Sequence, residues 1–483
     1  MRSIIWLKRD LRLCDHQPLT DAILSQKPTY LIYIIECCWL QAPEISNRHW
    51  QFKFDCLIEM ANELKKYGHQ LIVLQGEALE IFQSLNDSIG QFTLLSHMES
   101  GQLRGFQRDL AIKKWCKEKG IEWKEFKQQG VTRGRKNRTD WAEEWDKFMS
   151  QQIQPIDLKL LKTEPFPEEI KNRFKLTFRP TKETEIQKGG EKEALKLLES
   201  FVLSRARNYS KHISKPEEAR SSCSRLSPHL AWGSISMRQV VQRIDEERKK
   251  GRFKRDLANF KSRLYWHCHF IQKLESEPRI EWENQNRNYD SIRYEFDEVL
   301  FERWKTGTTG IPLVDACMRC VIKTGYINFR MRAMLVSVWT QHLFQPWQPA
   351  ALHLAQQFTD FEPGIHYSQF QMQAGTVGYH TIRVYNPTKQ ALEHDPNAQF
   401  IKKWVPELAE LPVHLAIEPW KISEMEKVFY DFQLNVNYPY PIVNIEEAGK
   451  EASKLLHEFR KQPLTQVIAK EIMKVHVNLD RKI

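Results

Sequence analysis

The first 130 residues alternate short β-rich apolar runs with longer stretches in which apolar residues recur three and four positions apart. The first pattern is typical of buried strands and the second of amphipathic helices. Their alternation predicts a Rossmann-like α/β domain with a parallel sheet covered on both faces, whose ligands bind beyond the carboxyl ends of the strands. The predicted strands are Ser3–Leu7, Tyr30–Glu36, Gln70–Gln75, Phe92–Ser96 and Ile121–Phe126, and the predicted helices are Trp50–Tyr67, Glu77–Leu85 and Gly101–Lys119.

The pattern changes at residue 131. A basic segment, Val131–Arg138, is followed by scattered prolines and by Gly189-Gly190, which interrupt any long element. We interpret residues 131–200 as an interdomain connector that follows the surface. Helical periodicity then continues almost to the carboxyl terminus, so residues 201–483 are predicted to form a large all-α domain. Examples of the predicted helices are Glu191–Leu203, Met237–Arg248, Asp256–Leu274, Ile311–Ile322 and Arg330–Leu343.

The composition narrows the class of protein. No apolar run approaches the roughly 20 residues that a membrane span needs. Charged residues interrupt the apolar stretch at the amino terminus, which is not the pattern of a signal peptide. Nine scattered cysteines fit a reducing compartment, so we expect a cytoplasmic protein without a membrane partner. A net charge of +11 is compatible with a polyanionic partner, although charge alone is a weak indication of nucleic-acid binding.

Two segments are rich in groups that bind phosphate. Ser221–Pro228 contains four serines and Arg225, which together can form an anion site at the start of a helix. The same composition is also typical of a serine-rich cap and turn. The basic run Arg248–Arg255, interrupted by Phe253, can follow a phosphate backbone or can be the solvated end of a helix. The residues alone leave both alternatives open.

Histidines and arginines in apolar surroundings are further candidates. His267 and His269 are two positions apart and therefore point to different helix faces, so we expect no metal site there. Either histidine can face a pocket or be a satisfied core residue. Arg330 and Arg332 lie in an otherwise apolar helix, where a buried guanidinium needs an anionic partner. The candidates for that partner are Asp315, Asp360, Glu362 and a cofactor phosphate.

Several long motifs resemble one family. The motifs are TGIPLVDACMR, TGYINFRMR, IRVYNP and FIKKWVPEL, together with CSRLSPHLAWG and the amino-terminal WLKRDLRLCDH. In this order, and over nearly the whole chain, they resemble the photolyase/cryptochrome family. The resemblance implies a helical domain that binds FAD in a U shape. It also implies an α/β domain that can hold a second, light-harvesting chromophore, whose identity the sequence leaves open.

The resemblance also assigns residues to the cofactor. Arg332 and Asp360 correspond to family residues next to the isoalloxazine, and Glu362 stands where an aspartate is usual. Trp266 would lie close to the flavin, and the serine-rich segment would hold the pyrophosphate. The expected FAD-binding residues are Tyr209, Ser224, Arg225, Leu226, Ser227, Trp266, Arg332, Asp360 and Glu362.

The DNA-binding surface is predicted from two sources. Tyr385 and Trp404 lie in stretches that line the DNA face in relatives, and Lys249, Lys250 and Arg252 come from the basic run. In photolyases the damaged pyrimidine dimer is flipped out of the DNA to reach the flavin, since the reacting bonds are inaccessible in a stacked duplex.

The chain departs from the family pattern where relatives bind the lesion. The lesion-contacting glutamate of cyclobutane-dimer photolyases is missing from the segment His267–His269, and Phe329 and Ala333 replace the two histidines of (6-4) photolyases. The residue that faces flavin N5, usually asparagine in photolyases, aligns with His366. A histidine there is expected to titrate near neutral pH and to tune the flavin.

The tryptophan chain that supplies electrons is altered as well. Its three positions align with Phe370, Trp347 and Tyr294, and phenylalanine does not readily carry a hole. Trp339 and Tyr367 are candidate detours. The candidate photochemical residues are therefore His366, Trp347, Tyr294 and His267.

Three functions follow as hypotheses. The first is light-driven DNA repair by a deoxyribodipyrimidine photo-lyase-like carbon–carbon lyase. The second is a cryptochrome-type blue-light photoreceptor with little or no repair activity. The third, a nucleotide-dependent enzyme, is disfavoured because the chain lacks a glycine-rich phosphate loop. For the first two we expect FAD as cofactor and a monomeric protein, with UV-damaged DNA as the partner in repair.

Overall fold

The amino-terminal domain is built on a parallel sheet. The structure, a computed structural model, describes residues 1–292 and 295–478. Five parallel strands are arranged in the order β3-β2-β1-β4-β5. Each predicted strand is confirmed to within two residues at either end. The strands are β1 (Arg2–Leu7), β2 (Thr29–Ile35), β3 (Leu71–Gln75), β4 (Phe92–His97) and β5 (Glu122–Phe126).

Helices cover both faces of this sheet. All seven residues of β2 are buried, as a central strand covered on two sides requires. Two separate apolar cores result, one on each face of the sheet. The covering helices are α1 (Gln17–Ser25), α2 (Cys37–Leu40), α3 (Asn47–Lys65), α4 (Ala78–Ile89) and α5 (Leu103–Lys119).

The segment 131–200 contains ordered elements. It includes α6 (Trp141–Ser150) and α7 (Glu168–Arg173). Trp141 and Trp145 of α6 pack into the core of the neighbouring helices, whereas Phe174, at the end of α7, packs against the sheet. The segment therefore contacts both large parts of the molecule, and the division at residues 130 and 200 stays a prediction.

The remainder of the described chain is helical, which confirms the predicted fold class. Its helices are α8 (Glu191–Leu203), α9 (Tyr209–His212), α10 (Ala219–Ser222), α11 (Ser227–Trp232), α12 (Met237–Lys249), α13 (Lys254–Ser276), α14 (Glu298–Thr306), α15 (Pro312–Thr324), α16 (Phe329–Ser337), α17 (Trp347–Gln357), α18 (Pro363–Ala374), α19 (Pro387–His394), α20 (Gln399–Trp404), α21 (Val413–Ile417), α22 (Glu424–Phe429), α23 (Ile445–Arg460) and α24 (Pro463–His476). In residues 1–292 and 295–478 no helix is both long and apolar enough to cross a membrane.

One predicted helix changes its geometry part of the way along. The apolar pattern predicted a continuous helix over Arg330–Leu343, but the α-helix ends at Ser337 and a π-helical turn follows over Val338–His342. The Leu343 amide donates to the Val338 carbonyl five residues back, at 2.9 Å. Such a turn adds one residue without ending the helix, so the apolar pattern does not reveal it.

Two long helices of this domain approach each other closely at a glycine. Gly364, in the first turn of α18, lies against α13, and a Cβ at this position would lie 2.5 Å from the Ile271 Cα and 2.9 Å from the Phe270 carbonyl oxygen. Only a residue without a side chain allows this approach. The pair places His267 of α13 and His366 of α18 in the same region of the domain.

Candidate cofactor-binding site

An arginine–aspartate pair lies at the centre of the site. The Arg332 Nη2 donates to the Asp360 Oδ2 at 2.9 Å, and the Arg332 Nε donates to the Ile327 carbonyl. The guanidinium also lies 3.9 Å from the centre of the Phe358 ring. Burial by itself would raise the pKa of Asp360, but Arg332 outweighs it and holds the pKa below its ordinary value. Asp360 is therefore ionised at neutral pH.

Asp315, the other aspartate considered for this role, lies elsewhere. Its carboxylate accepts hydrogen bonds from the Thr309 amide at 2.8 Å and hydroxyl at 2.6 Å, from the Gly310 amide at 3.0 Å, and from the Tyr438 hydroxyl at 2.5 Å. These donors satisfy Asp315 within the core, so it is not a partner of Arg332.

The serine-rich segment lies beside the Arg332–Asp360 pair. Ser227, at the start of α11, lies beside Asp360 and helps to lower its pKa. Arg225 has a left-handed backbone, with φ of 63°, and its guanidinium lies 3.5 Å from the centre of the Tyr326 ring. Leu226 is fully buried, and the half-buried Arg225 faces the same region as Arg332 because both lie near Tyr326. The structure thus brings together residues more than 100 positions apart.

Tyr209 supports this segment from behind. Its ring is buried and packs edge-on against Phe201 and Phe260. Arg205 donates to the Ser224 carbonyl at 3.2 Å and so fixes the backbone of the predicted phosphate-binding turn. Arg205 and Tyr326 were missed as site residues, although Tyr326 stands inside the TGYINFRMR motif.

His267 extends the site along α13. Its Nδ1 is buried and has no hydrogen-bond partner in the described part of the chain. Burial lowers the pKa of His267 to about 4, with Arg9 acting in the same direction and Asp360 opposing it. The side chain is therefore a neutral imidazole at pH 7. Trp266, one residue earlier, keeps 43% of its surface exposed and lies beside Phe270.

Glu362 connects the site to the amino-terminal domain. Its Oε2 accepts from the Arg9 Nη2 at 3.0 Å, while its Oε1 is buried without a partner among residues 1–292 and 295–478. Burial raises the pKa of Glu362 to about 7, although the charge of Arg9 opposes the shift. Arg9 also donates to the Ala231 carbonyl at 2.9 Å and the Phe361 carbonyl at 3.2 Å. Sequence reasoning missed this role of Arg9.

His366 does not titrate as expected. Its Nε2 donates to the Ala351 carbonyl at 2.8 Å, and its ring lies 4.7 Å from the ring of Phe370. Burial lowers the pKa of His366 to about 4, against the single backbone hydrogen bond that favours the charged form. The expectation of titration near neutral pH is therefore wrong, because the apolar pocket excludes the water that would stabilise the cation.

Of the three predicted electron-transfer positions, Trp347 and Phe370 are buried. The Trp347 Nε1 donates to the Asn284 side-chain oxygen at 3.0 Å. Tyr294 lies outside the described residues. Of the candidate detours, Tyr367 lies 5.3 Å from His366 between ring centres, and Trp339 lies 5.3 Å from Trp304.

Unpaired polar atoms at the site test whether a polar cofactor fits these residues. The Asp360 Oδ1, Glu362 Oε1 and His267 Nδ1 are all buried without a hydrogen-bond partner in the described chain. Buried polar groups are nearly always hydrogen-bonded, so an unpaired set on neighbouring elements indicates a polar ligand. Arg225 and the adjacent serines offer the donors that a pyrophosphate needs. The residues present therefore fit FAD.

The predicted DNA-binding residues belong to elements that pack on different apolar cores of the helical domain. Lys250 and Arg252 both pair with Glu247, at 2.9 and 3.0 Å, so these two cations share a single negative charge. Lys249, at the end of α12, is exposed. Tyr385 and Trp404 are partly buried against the helical core, and the Trp404 Nε1 lacks a partner in the described chain.

A second candidate site lies at the carboxyl ends of the strands, where the sequence predicts that ligands of the sheet bind, and is also lined by residues of the helical part of the chain. A cavity of about 280 Å³ opens beyond the carboxyl ends of β1, β4 and β5 and is lined by Arg12, His97, Lys127, Ser236 and Arg238 among others. The His97 Nδ1 donates to the Asp10 Oδ2 at 2.7 Å, and burial lowers the pKa of His97, so its ring is neutral. A crevice beyond the strand ends is where parallel sheets bind ligands.

Asp10, His16 and His97 are close enough to hold a metal ion. However, the His16 Nδ1 accepts from the Leu19 amide at 3.2 Å, so its Nε2 carries the proton and donates to the Asp10 Oδ2 at 3.0 Å. The three groups thus satisfy one another as a hydrogen-bond network, and the same aspartate orients both histidines.

Comparison with known proteins agrees with this geometry. Residues 3–146 match the family model described as DNA photolyase, and residues 260–458 match the one described as FAD binding domain of DNA photolyase. Together these models span most of the chain and cover both the sheet and the centre of the cofactor site.

Three relatives illustrate the similarity. The chain is 25% identical to a deoxyribodipyrimidine photo-lyase of Agrobacterium fabrum, over 93% of this chain and 96% of that protein. It is 27% identical to a cryptochrome DASH of Gloeobacter violaceus, over 92% and 94%. A solved archaeal photolyase from Sulfolobus tokodaii, with two FAD molecules, superposes with a TM-score of 0.75 at 29% identity, over 95% of this chain and 100% of that one. With the sheet, the helical domain and the cofactor-site residues all in agreement, the chain belongs to the photolyase/cryptochrome family.

Proposed function

We propose that this protein is a light-driven DNA-repair flavoprotein that splits UV-induced pyrimidine dimers. The observation that carries the proposal is the buried cluster around Arg332 and Asp360, where polar atoms on α13 and in the loop before α18 are left without partners within the described chain. Family membership supplies the reaction class, because relatives of similar length are named photo-lyases.

The residues that would hold FAD divide into two groups. Ser224, Arg225 and Ser227 would bind the pyrophosphate through hydroxyls and a guanidinium. Arg332 and Asp360 would bind the flavin ring system, the first as a donor and the second as an acceptor. When bound, FAD would supply light absorption and single-electron transfer, chemistry that amino-acid side chains do not provide.

The protein's own contribution is an environment of fixed charge. His366 and His267 are neutral at pH 7, so the Arg332 guanidinium is the cation closest to Asp360 within the described site. Phe361 and Phe370 pack around His366 and exclude water from it. With the lesion-binding glutamate absent, the unpaired His267 Nδ1 is the group we propose to contact the flipped base.

DNA is the proposed macromolecular partner. The net charge of +11, together with Tyr385 and Trp404, supports a surface that binds the strand around a flipped dimer. Simultaneous replacement of Lys249, Lys250 and Arg252 by glutamine flattens the salt dependence of DNA affinity if this run contacts phosphates. An unchanged slope would place the DNA-binding surface elsewhere.

We also propose that the interdomain cavity holds a second chromophore. Its lining of Arg12, Lys127 and Arg238 favours an anionic ligand, and the His97 Nε2 can accept a hydrogen bond because the Nδ1 proton is held by Asp10. Replacement of His97 by phenylalanine should remove the absorbance of this second chromophore and leave flavin absorbance unchanged.

A photoreceptor role is the second candidate. Phe370 interrupts the expected tryptophan chain beside His366, which favours a protein whose light response differs from that of efficient repair enzymes. The same fold occurs in cryptochrome DASH relatives.

One experiment separates the two functions. Reduced, purified protein is illuminated with blue light in the presence of oligonucleotides that carry a single cyclobutane or (6-4) dimer, in single- and double-stranded form, with dark samples as controls. Restoration of intact pyrimidines supports repair. Absence of repair on all four substrates, combined with a light-dependent change in oligomer size, supports the photoreceptor role and refutes the lyase.

A further inference from the structure

A buried arginine outside the cofactor site has no partner. Arg138 is 2% exposed, and none of its Nε, Nη1 and Nη2 atoms makes a hydrogen bond within residues 1–292 and 295–478. The centre of the Trp141 ring lies 5.6 Å from the guanidinium carbon, within the range of a cation–π contact. An unpaired buried charge is among the most destabilising features a fold can contain, so a guanidinium in this state indicates an anion that binds it.

Side chains of α13 lie near Arg138, because the Trp141 ring beside Arg138 also packs edge-on against His269, with ring centres 5.8 Å apart. Lys273 is one turn further along the same face of α13, a different face from that of His267. Lys273 is 2% exposed and its Nζ donates to the Tyr379 hydroxyl at 3.2 Å. Burial lowers the pKa of Lys273 to about 7, and the charge of Arg138 acts in the same direction. The two side chains therefore act on each other electrostatically.

The nearby acid does not neutralise this cluster. Glu277 opposes the shift at Lys273, but its carboxylate is already bound by Arg279, by the Gln285 amide at 2.8 Å and by the His476 ring at 2.6 Å. No carboxylate in the described chain forms an ion pair with Arg138 or Lys273. The cluster has donors in excess and a net positive charge.

Four separate parts of the chain contribute to the cluster. Arg138 comes from the segment before α6, Lys273 from α13, Tyr379 from the loop after α18, and His476 from α24. The Tyr379 ring contacts the ring of His380, with centres 4.3 Å apart and planes tilted by 40°. Two basic side chains and a hydroxyl from distant segments, with no carboxylate of the described chain paired to Arg138 or Lys273, form a built anion site.

We propose that Arg138, Lys273 and Tyr379 bind a phosphate group. The guanidinium has donors only, and the Lys273 Nζ and the Tyr379 hydroxyl keep N–H and O–H donors beyond the bond that joins them, whereas a phosphate offers oxygens that accept. The site shares no residue with the serine-rich segment. It requires neither light nor flavin. The phosphate can be inorganic phosphate or a phosphodiester of bound DNA.

The test measures thermal unfolding of the purified full-length protein in sodium phosphate and in sodium chloride of equal ionic strength and pH. A ligand that binds only the folded state raises the melting temperature. We expect phosphate to stabilise the wild type. Arg138→Met should weaken phosphate binding and raise its dissociation constant by about 10- to 100-fold. Arg138→Met should also be more stable than the wild type in chloride, because it removes the unpaired charge.

Matched variants exclude a general loss of structure. Arg135→Met, in the same segment but paired with Glu144 at 2.8 Å, should retain the full phosphate response. Tyr379→Phe removes a single hydroxyl and should weaken the response without loss of folding. Equal stabilisation of the wild type and Arg138→Met by phosphate, with DNA affinity also unchanged by Arg138→Met, would overturn the proposal.

The source of the phosphate is settled by competition. If saturating phosphate displaces an undamaged single-stranded oligonucleotide from the wild type but not from Arg138→Met, the site binds a DNA phosphodiester. If phosphate binds without such displacement, the ligand is free phosphate. Neither result depends on repair activity, so failure of the repair assay and failure of this proposal are distinguishable.

Discussion

Single side chains decide the charge of the cofactor site. Arg332 and Asp360 form a largely buried pair, His267 and His366 are kept neutral by burial, and Glu362 is shared with Arg9 of the sheet domain. Each of these states depends on one or two neighbours, so single substitutions have separable effects.

Replacement of Arg332 by alanine should release the flavin and destabilise the fold. Loss of one partner of a buried ion pair leaves the other charge uncompensated, which costs about 3 kcal/mol for a pair with one partly exposed member. The measurement is the ratio of visible to ultraviolet absorbance after purification, with a denaturant titration. Arg330→Ala is the matched control, because Arg330 makes one long hydrogen bond, of 3.4 Å, to Gln390. Equal flavin retention in both variants would contradict this role for Arg332.

Glu362 should make stability depend on pH. Its pKa is about 7 in the folded protein, well above the ordinary value of 4.5, so the folded state binds the proton more tightly than the unfolded state. The stabilisation by this proton is complete below about pH 4.5 and is lost as the pH rises through 7, a change of about 2–3 kcal/mol. Glu362→Gln should therefore gain stability relative to the wild type as the pH rises from 5 to 8. Parallel curves of unfolding free energy for the two proteins would show that Glu362 does not titrate in this window.

At the scale of elements, the site depends on how closely helices approach. Helices α13 and α18 touch through Gly364, and this contact sets the separation of His267 from His366. The π-helical turn after α16 shifts the phase of the residues that follow, which buries both Trp339 and His342.

A methyl group at Gly364 should separate these helices. The added Cβ would lie 2.5 Å from the Ile271 Cα, a main-chain atom that cannot move aside. We expect Gly364→Ala to lose about 1–3 kcal/mol of stability by overpacking and to bind flavin weakly. The helical Gly105 is the control, since its Cβ would find no atom closer than 3.4 Å and alanine there should be neutral or stabilising. Unfolding curves and flavin content of the two variants provide the comparison.

At the scale of the whole molecule, the sheet domain is a structural partner of the cofactor site. Arg48 of α3 donates to the carbonyls of Ile322 and Gln357, both at 2.8 Å, and His49 bonds to the Phe358 carbonyl at 2.8 Å. With Arg9 on Glu362, these contacts attach the end of the sheet to the loop before α18. Substitutions in the sheet domain should therefore alter flavin binding.

A double-mutant cycle measures this connection. Arg9→Met leaves the buried Glu362 without its counter-charge, so it should destabilise the wild-type background at pH 8 by about 2–4 kcal/mol. In the Glu362→Gln background the same change should cost less, since no charge remains to be balanced. A coupling free energy near zero would mean that Arg9 acts only through its bonds to the carbonyls of Ala231 and Phe361.

The sequence alone determined the fold class, the strands and the order of the motifs. A short continuous apolar run and an apolar period of 3.6 residues are local properties, so the strand β2 and the helix α8 can be recognised without knowledge of their neighbours. The motif residues Arg332, Asp360 and Ser227 are neighbours in the fold, and their role in binding FAD stays a prediction.

Only the tertiary structure decided which groups are partners and which have none. Asp315 is a candidate partner of Arg332 from the sequence, yet it binds Thr309 and Tyr438. Glu362 pairs with an arginine 353 residues away. The neutrality of His366 and the unpaired charge of Arg138 likewise depend on how distant segments exclude water. Ion pairing and desolvation are sums over neighbours in space, and these neighbours exist only after the chain has folded.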